Sequence, residues 1–353
     1  MTASTSSGPA ASSDAPADEG KRSWSRRVRR PRWGTLLLAA VAYVPLLLTR
    51  PGQVGADTKT YLYLDPGRLL SRAAQMWDPN IGMGTVTHQN IGYLWPMGPY
   101  YWLMDAIGLP DWVAQRLWLG SIILLAGLGV RWMLRELRWD GAGVTVASFA
   151  YALSPYLLEY AARISLILLP FAGLTWLIGL AARALRRRDW ATPAVFALVT
   201  LTVGGVNATS LILVMFGPLL WFLHATFVAR EVTFGQALAT GLRITVLTAV
   251  TSLWWVAGLM IQGAYGIPIL RYTETYETVA AAALAPEVLR GLGYWFFYGT
   301  DGLGAWTAST VRYVESVPSI ALSCLIPGLG LAGGLLARWW HRVFFASIIV
   351  VGL

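Results

Sequence analysis

The stretch WGTLLLAAVAYVPLLLTRPGQVGADTKTYLYLDPGR, residues 33–68, passes abruptly from an uncharged apolar run, Trp33 to Thr49, to a segment that carries Asp57, Lys59, Asp65 and Arg68. At 1.5 Å per residue the apolar part is about 25 Å of helix, close to the hydrocarbon thickness of a bilayer. Lys21, Arg22, Arg26, Arg27, Arg29, Arg30 and Arg32 stand just before it. Basic residues hold a flank in the cytoplasm, so the run reads as a retained signal anchor with the charged segment delivered to the outer side. A cleaved signal peptide is the competing reading, but no small-x-small pattern follows closely. Residues 1–20 are mostly Ala, Ser, Pro, Asp and Gly, and the whole of 1–32 reads as a disordered, basic cytoplasmic tail.

The rest of the chain agrees with a lipid solvent. Of 353 residues, 56% are hydrophobic and 13% charged, and the mean hydropathy is +0.54. A water-soluble domain carries about 25% charge, so the composition excludes one. Further spans are expected at 112–134, 142–156, 164–184, 191–206, 208–228, 240–262 and 317–337, those at 142–156 and 191–206 being short enough to lie partly within protein. This gives an all-α polytopic membrane domain over 33–353, with outer loops at 50–111 and 263–316 rich in aromatics, Gly and Pro, as suits elements resting at the interface. Most cations fall on the inner side of this alternation, including Arg131, Arg135, Arg138, Arg183, Arg186, Arg187, Arg188, Arg230, Arg243, Arg338 and Arg342, while most acids fall outside. The net charge of +9 is therefore read as orientation at a plasma membrane, with membrane lipids as partners and no nucleic acid. The apolar run from Val343 stops at Leu353, too soon to cross, so the sequence reads as truncated at its C-terminus.

Several chemistries have no support. Cys324 is the single cysteine and reads as a small core residue. Lys21 and Lys59, the two lysines, lie in no P-loop. His88, His224 and His341 are far apart in sequence and suggest no zinc site, and no Gly-x-Ser-x-Gly elbow occurs. No resident metal or cofactor is expected, although a divalent ion is left open.

What remains is the outer side. Asp57 follows the first span by about eight residues, which holds a carboxylate near a lipid headgroup, where it can serve as a general base or as an ordinary turn residue. Asp65-Pro66 reads as a helix start, with Asp as cap and Pro at the first position. The pattern beyond it predicts an amphipathic interfacial helix with Leu69, Leu70, Ala73, Ala74 and Trp77 on one face and Arg68, Arg72 and Gln75 on another. Lys59, Arg68 and Arg72 are candidates to bind a donor phosphate. His88, Gln89, Asn90, Tyr93 and Trp95, and Glu274 in the second outer loop, are candidates to bind a sugar or acceptor, since rings stack on sugars and amides bind hydroxyls; an interfacial aromatic belt explains the rings as well. Glu159 and Arg163 sit at membrane depth, as a pair or as functional groups.

Asp57-Thr58-Lys59, Asp65-Pro66-Gly67-Arg68, Gly92-Tyr93-Leu94-Trp95-Pro96-Met97-Gly98, Gln115-Arg116-Leu117-Trp118 and Ala152-Leu153-Ser154-Pro155, in this order and spacing, resemble the actinobacterial arabinofuranosyltransferase D family. The resemblance covers residues 33–180 well and the remainder through hydropathy. It implies a GT-C-type helical bundle that transfers arabinofuranose, with inversion, from decaprenyl-phosphate-arabinofuranose to the arabinan of arabinogalactan or lipoarabinomannan, through an α-(1→3) branch. The catalytic acidic residue of such enzymes lies in the first outer loop, which falls on Asp57, at the extracytoplasmic face. A monophosphate donor needs no metal. Three other readings stand beside it: another polyprenyl-phosphate-sugar transferase such as a mannosyltransferase, a lipid-linked-sugar transporter, and a non-catalytic scaffold. A transporter would carry ionisable residues in the middle of its spans, whereas here the acids gather in the outer loops. The geometric expectation is that Asp57, Lys59 and Arg68 or Arg72 line one cavity.

Overall fold

The computed structural model describes residues 33–352 apart from 56, 58, 59, 87–89, 162, 163, 206, 269, 270, 274, 295, 296, 337 and 338. The tail at 1–32 lies outside the described residues, as do Lys59, His88, Gln89, Arg163 and Glu274.

The apolar run at the start forms α1, Trp33–Leu48, and the segment after it then builds α2 (Tyr61–Leu64), α3 (Pro66–Ser71), a hairpin of β1 (Trp77–Asp78) and β2 (Thr85–Val86), α4 (Asn90–Tyr93) and α5 (Met97–Ala106). The long bundle follows: α6 (Asp111–Glu136), α7 (Ala142–Ala152), α8 (Pro155–Ala161), α9 (Ser165–Arg187), α10 (Ala191–Gly204), α11 (Ala208–Leu223) with a π-helical turn at His224–Val228, and α12 (Phe234–Tyr265). The second outer segment holds α13 (Tyr276–Ala282), α14 (Ala285–Leu289), the hairpin β3 (Thr300–Asp301) and β4 (Gly304–Ala305), and α15 (Ala308–Glu315). Helices α16 (Val317–Leu336) and α17 (Arg342–Gly352) complete it. Among the described residues five helices are long and apolar enough to cross a membrane: α6, α9, α11 with its π turn, α12 and α16. The chain is thus a multi-pass membrane protein. The short helices α7 and α10 are where the sequence places its two short runs.

Lipid tails are as apolar as leucine, so spans gain little by hiding leucines from lipid and associate by close approach instead. Glycine provides that approach. A Cβ on Gly120 of α6 would stand 2.2 Å from the Tyr43 ring of α1, one on Gly129 would stand 2.3 Å from Thr175 Oγ1 of α9, and one on Gly179 of α9 would stand 2.4 Å from Trp132 of α6. Trp132 and Trp176 stack at 5.3 Å across the same seam. Helices α6 and α9 are accordingly the buried centre, whereas α16 buries no residue. Cys324 is exposed on α16, which corrects its reading as a core residue: the helix touches α15 and Arg290 at one end, and no described residue of it is buried.

The predicted interfacial helix also changes. Asp65 caps α3 as read, accepting from the Arg68 N–H at 3.2 Å with Pro66 in the first turn, but α3 ends at Ser71. The chain then turns into the β1–β2 hairpin, where Gly82 and Gly84 take φ values of +57° and +107°, and Trp77 belongs to a strand rather than to a helix face. Arg72 explains the early stop, because its guanidinium reaches forward to the Asp78 carboxylate at 2.9 Å and to the Trp77 carbonyl at 3.1 Å. Val86 bridges to Gly266 at the end of α12, and Tyr160 of α8 stacks on Tyr294 at 5.0 Å. Both outer segments therefore lie over the same end of the bundle.

Candidate functional site

The Asp57 carboxylate is 5% exposed and sits at the first turn of α9. Its Oδ1 accepts from the backbone N–H of Ser165 at 2.5 Å, and its Oδ2 accepts from the Ser165 hydroxyl at 2.6 Å. The Trp118 indole N–H of α6 donates to that hydroxyl oxygen at 3.1 Å. The N–H groups at the start of a helix have no partner within it and carry the positive end of its dipole, so a carboxylate brought from a distant loop satisfies one of them and is itself stabilised. The loop is fixed by Gln115: its Oε1 accepts from Gly55 N–H at 2.8 Å and its Nε2 donates to the Gly55 carbonyl at 2.9 Å. The Tyr63 hydroxyl donates to the same carbonyl at 3.1 Å.

Burial pushes the Asp57 carboxyl up to about 6, against the Ser165 hydrogen bonds and the nearby Arg116 charge, both of which pull it down. The group is thus mostly ionised at neutral pH, yet more basic than an ordinary surface carboxylate. The phenols around it respond in turn. Tyr93 is 2% exposed, and its hydroxyl is raised well above the usual range by burial first, then by its neighbours Tyr61 and Asp57. Tyr61 is raised to about 12, again by burial and then by Asp78.

Tyr61 is also on the wall of a cavity of about 500 Å³ between α2, α3, α4 and the β1–β2 hairpin. Its polar lining comprises Thr60, Asp65, Arg68, Arg72, Gln75, Asp78 and Asn80. Arg72 is committed to Asp78, while the Arg68 guanidinium has no ion-pair partner among the described residues. Asp57 is not on this wall. The expectation of one cavity shared by Asp57, Lys59 and at least one of the two arginines is therefore met for Arg68 and Arg72 and corrected for Asp57, because Ser165 draws the carboxylate inward onto the end of α9, where it is buried; Lys59 lies outside the described residues. Trp95 is half exposed and outside the cavity, and Asn90 begins α4.

In the second outer segment the structure assembles a group that the sequence reading passed over. Buried Arg290 donates to Glu287 at 2.7 Å, to the Ser323 hydroxyl at 2.8 Å and to the Tyr313 carbonyl at 2.6 Å, and the Tyr298 hydroxyl donates to Glu287 at 2.8 Å. It ties α14 and α15 to α16. Ser165 was equally unmarked; its sequence signal is a hydroxyl in the first turn of a long apolar helix. Gln115 and Trp118, quoted above only as part of a motif, turn out to hold the Asp57 loop and its serine.

A polytopic helical bundle, with a loop carboxylate seated on the outer end of a central span and a cavity beside it, is a GT-C-type membrane domain. The chain belongs to the family described as alpha-(1->3)-arabinofuranosyltransferase, N-terminal GT-C domain, whose model matches residues 41–353. It is 27% identical over 325 residues to the alpha-(1->3)-arabinofuranosyltransferase of Mycolicibacterium smegmatis and 28% identical over 324 residues to that of Mycobacterium tuberculosis, in each case over 90% of this chain and 22% of the relative. The chain thus spans about a fifth of the length of these curated relatives. The cryo-EM structure of arabinofuranosyltransferase AftD from mycobacteria matches its fold with a TM-score of 0.64 at 24% identity, over 91% of this chain and 26% of that one.

Proposed function

We propose that this chain is the catalytic membrane domain of an arabinofuranosyltransferase that moves arabinofuranose from a polyprenyl-phosphate donor, decaprenyl-phosphate-arabinofuranose, to cell-wall arabinan at the extracytoplasmic face. Family membership supports the sugar and the reaction class. The observation that carries the mechanism is the buried Asp57 carboxylate hydrogen-bonded to Ser165 at the positive end of α9, in the same segment as a cavity bearing an arginine without an ion pair among the described residues.

In this reading Asp57 takes the proton of the acceptor hydroxyl as its oxygen attacks the anomeric carbon. The bond from that carbon to the phosphate oxygen breaks on the opposite face, so configuration inverts, and the electron pair leaves with the polyprenyl phosphate. Arg68, and Arg72 with its charge shared by Asp78, are proposed to neutralise the departing phosphate. Lys59, two residues from the carboxylate, is proposed to assist them. With a monophosphate leaving group the arginines suffice and no metal is required. His88, Gln89, Asn90, Tyr93, Trp95 and Glu274 are proposed to contact sugar or acceptor. Because Asp57 is buried, transfer requires its surroundings to open so that the acceptor reaches it.

The test uses the full-length enzyme with polyprenyl-phosphoryl-arabinofuranose and an arabinan acceptor. Asp57→Asn keeps shape and loses the base, and turnover is expected to fall by a factor of about 10² to 10⁴. Near-normal turnover removes Asp57 from the mechanism. A mannosyl donor in a parallel arm tests the sugar: preference for it would move the enzyme to the mannosyltransferase reading.

A further inference from the structure

At the opposite end of the bundle the residue following α6, the last turn of α9, the π turn after α11 with the residues beyond it, and the first turn of α17 border a second, open cavity of about 680 Å³. Arg186, which lines it, is 21 residues along α9 from Ser165, so roughly 30 Å separates this cavity from Asp57. Exposed Arg138, Arg186, Arg230 and Arg342 surround it, with Glu231 as its one lining carboxylate. Arg186 is already paired with Glu136, and Glu231 faces His341 at 3.9 Å. Among the described residues Arg138, Arg230 and Arg342 have no ion-pair partner. Three guanidinium groups around one space repel one another unless an anion enters it.

The walls are built in advance. Trp221 lies edge-on against His341 at 4.8 Å and against Phe344 at 5.0 Å, and His224 Nε2 meets His341 Nδ1 at 3.1 Å. This aromatic cluster fastens the start of α17 to the end of α11. His224 is 6% exposed, and its Nδ1 has no hydrogen-bond partner among the described residues. Arg138, Arg230 and His341 take φ values of +65°, +53° and +59°, the left-handed conformation that glycine adopts more readily than other residues. Arg138 closes α6 where glycine is usual, with the Trp139 N–H donating to the Leu134 carbonyl at 2.8 Å. Cations and a histidine thus occupy three positions around one cavity at which glycine would relieve the backbone.

We propose that this cavity binds the phosphate of an anionic lipid headgroup. Arginine forks match phosphate oxygens, the cavity lies at the ends of lipid-crossing helices, and Trp339 and exposed Trp340 in its wall are the residues that mark a membrane interface.

The test is native mass spectrometry of the full-length chain in detergent micelles, titrated with cardiolipin, with zwitterionic phosphatidylcholine and with inorganic phosphate. Cardiolipin is expected to remain bound in preference to phosphatidylcholine. The double variant Arg138→Gly with Arg230→Gly, whose backbone glycine suits, should retain cardiolipin roughly 30-fold more weakly, as expected from losing two basic residues beside an anionic headgroup. Arg188→Gly is the matched control, since Arg188 also has a left-handed φ of +57° and lies outside the cavity; it should bind as the wild type does. Unchanged binding by the double variant, an equal loss in the control, or displacement of the lipid by inorganic phosphate would each overturn the proposal, the last by assigning the site to the free ion.

Discussion

Asp57 is held between two opposed effects. Burial raises its carboxyl to about 6, while Ser165 and Arg116 favour the ionised form. A base must be deprotonated to act, so activity should fall as pH drops through about 6, and the acidic limb of kcat/KM should lie there rather than near 4. Ser165→Ala removes the hydroxyl donor and keeps the backbone one. With less stabilisation of the anion the carboxyl rises further, and the limb should move to higher pH while the alkaline side is unchanged. A limb that stays in place would mean that the titrating group is not Asp57. The sequence exposed Asp57 as a lone outer carboxylate near the first span, but its partner is 108 residues away, and no local pattern connects the two. Arg68 and Arg72 were legible as cavity residues because their spacing survives the early end of α3; the pairing of Arg72 with Asp78 was not, since it depends on a hairpin set by glycines at positive φ.

Between elements, the α6–α9 seam decides how the carboxylate is held, because Trp118 and Ser165 approach each other only when these helices lie in close contact. Gly129→Val should bring a side chain into Thr175 and Trp176 and cost about 1–3 kcal/mol by overpacking, seen as a lower melting temperature and poor yield in detergent. Gly143→Ala, where an added Cβ meets nothing within 4 Å, should be tolerated; equal effects of the two would remove the close-packing account. Helix identity was readable from apolar runs, and so were starts with local chemistry, such as Asp65-Pro66. The capping box of Thr233 and Gln236 on α12 is of the same local kind. Which glycines are contacts and which are open was not readable, because the residue type is the same and the neighbour lies on another helix.

For the whole molecule, charge divides the two ends: the arginine-rich ends of α6, α9 and α11 lie opposite the outer segments that cover Asp57. By the positive-inside rule the N-terminus and Arg186 are expected in the cytoplasm and Asp57 outside. In a Cys324→Ser background, Gly302→Cys in the β3–β4 hairpin should react with a membrane-impermeant maleimide on intact cells, and Gly235→Cys at the start of α12 only after permeabilisation. The reverse pattern would invert the orientation and remove the extracytoplasmic active site. Hydropathy and the side on which each charge falls are properties of short segments, so the sequence by itself determined that this protein crosses a membrane many times and gathers its acids at one end. The tertiary structure alone decided that Asp57 caps α9, that it lies off the wall of the Arg68 cavity, and that His224 and His341 meet beside a second ring of arginines. Those are contacts between residues far apart in the chain, fixed by helix packing, and packing in lipid depends on close fit between helices rather than on the hydrophobic pattern of any one of them.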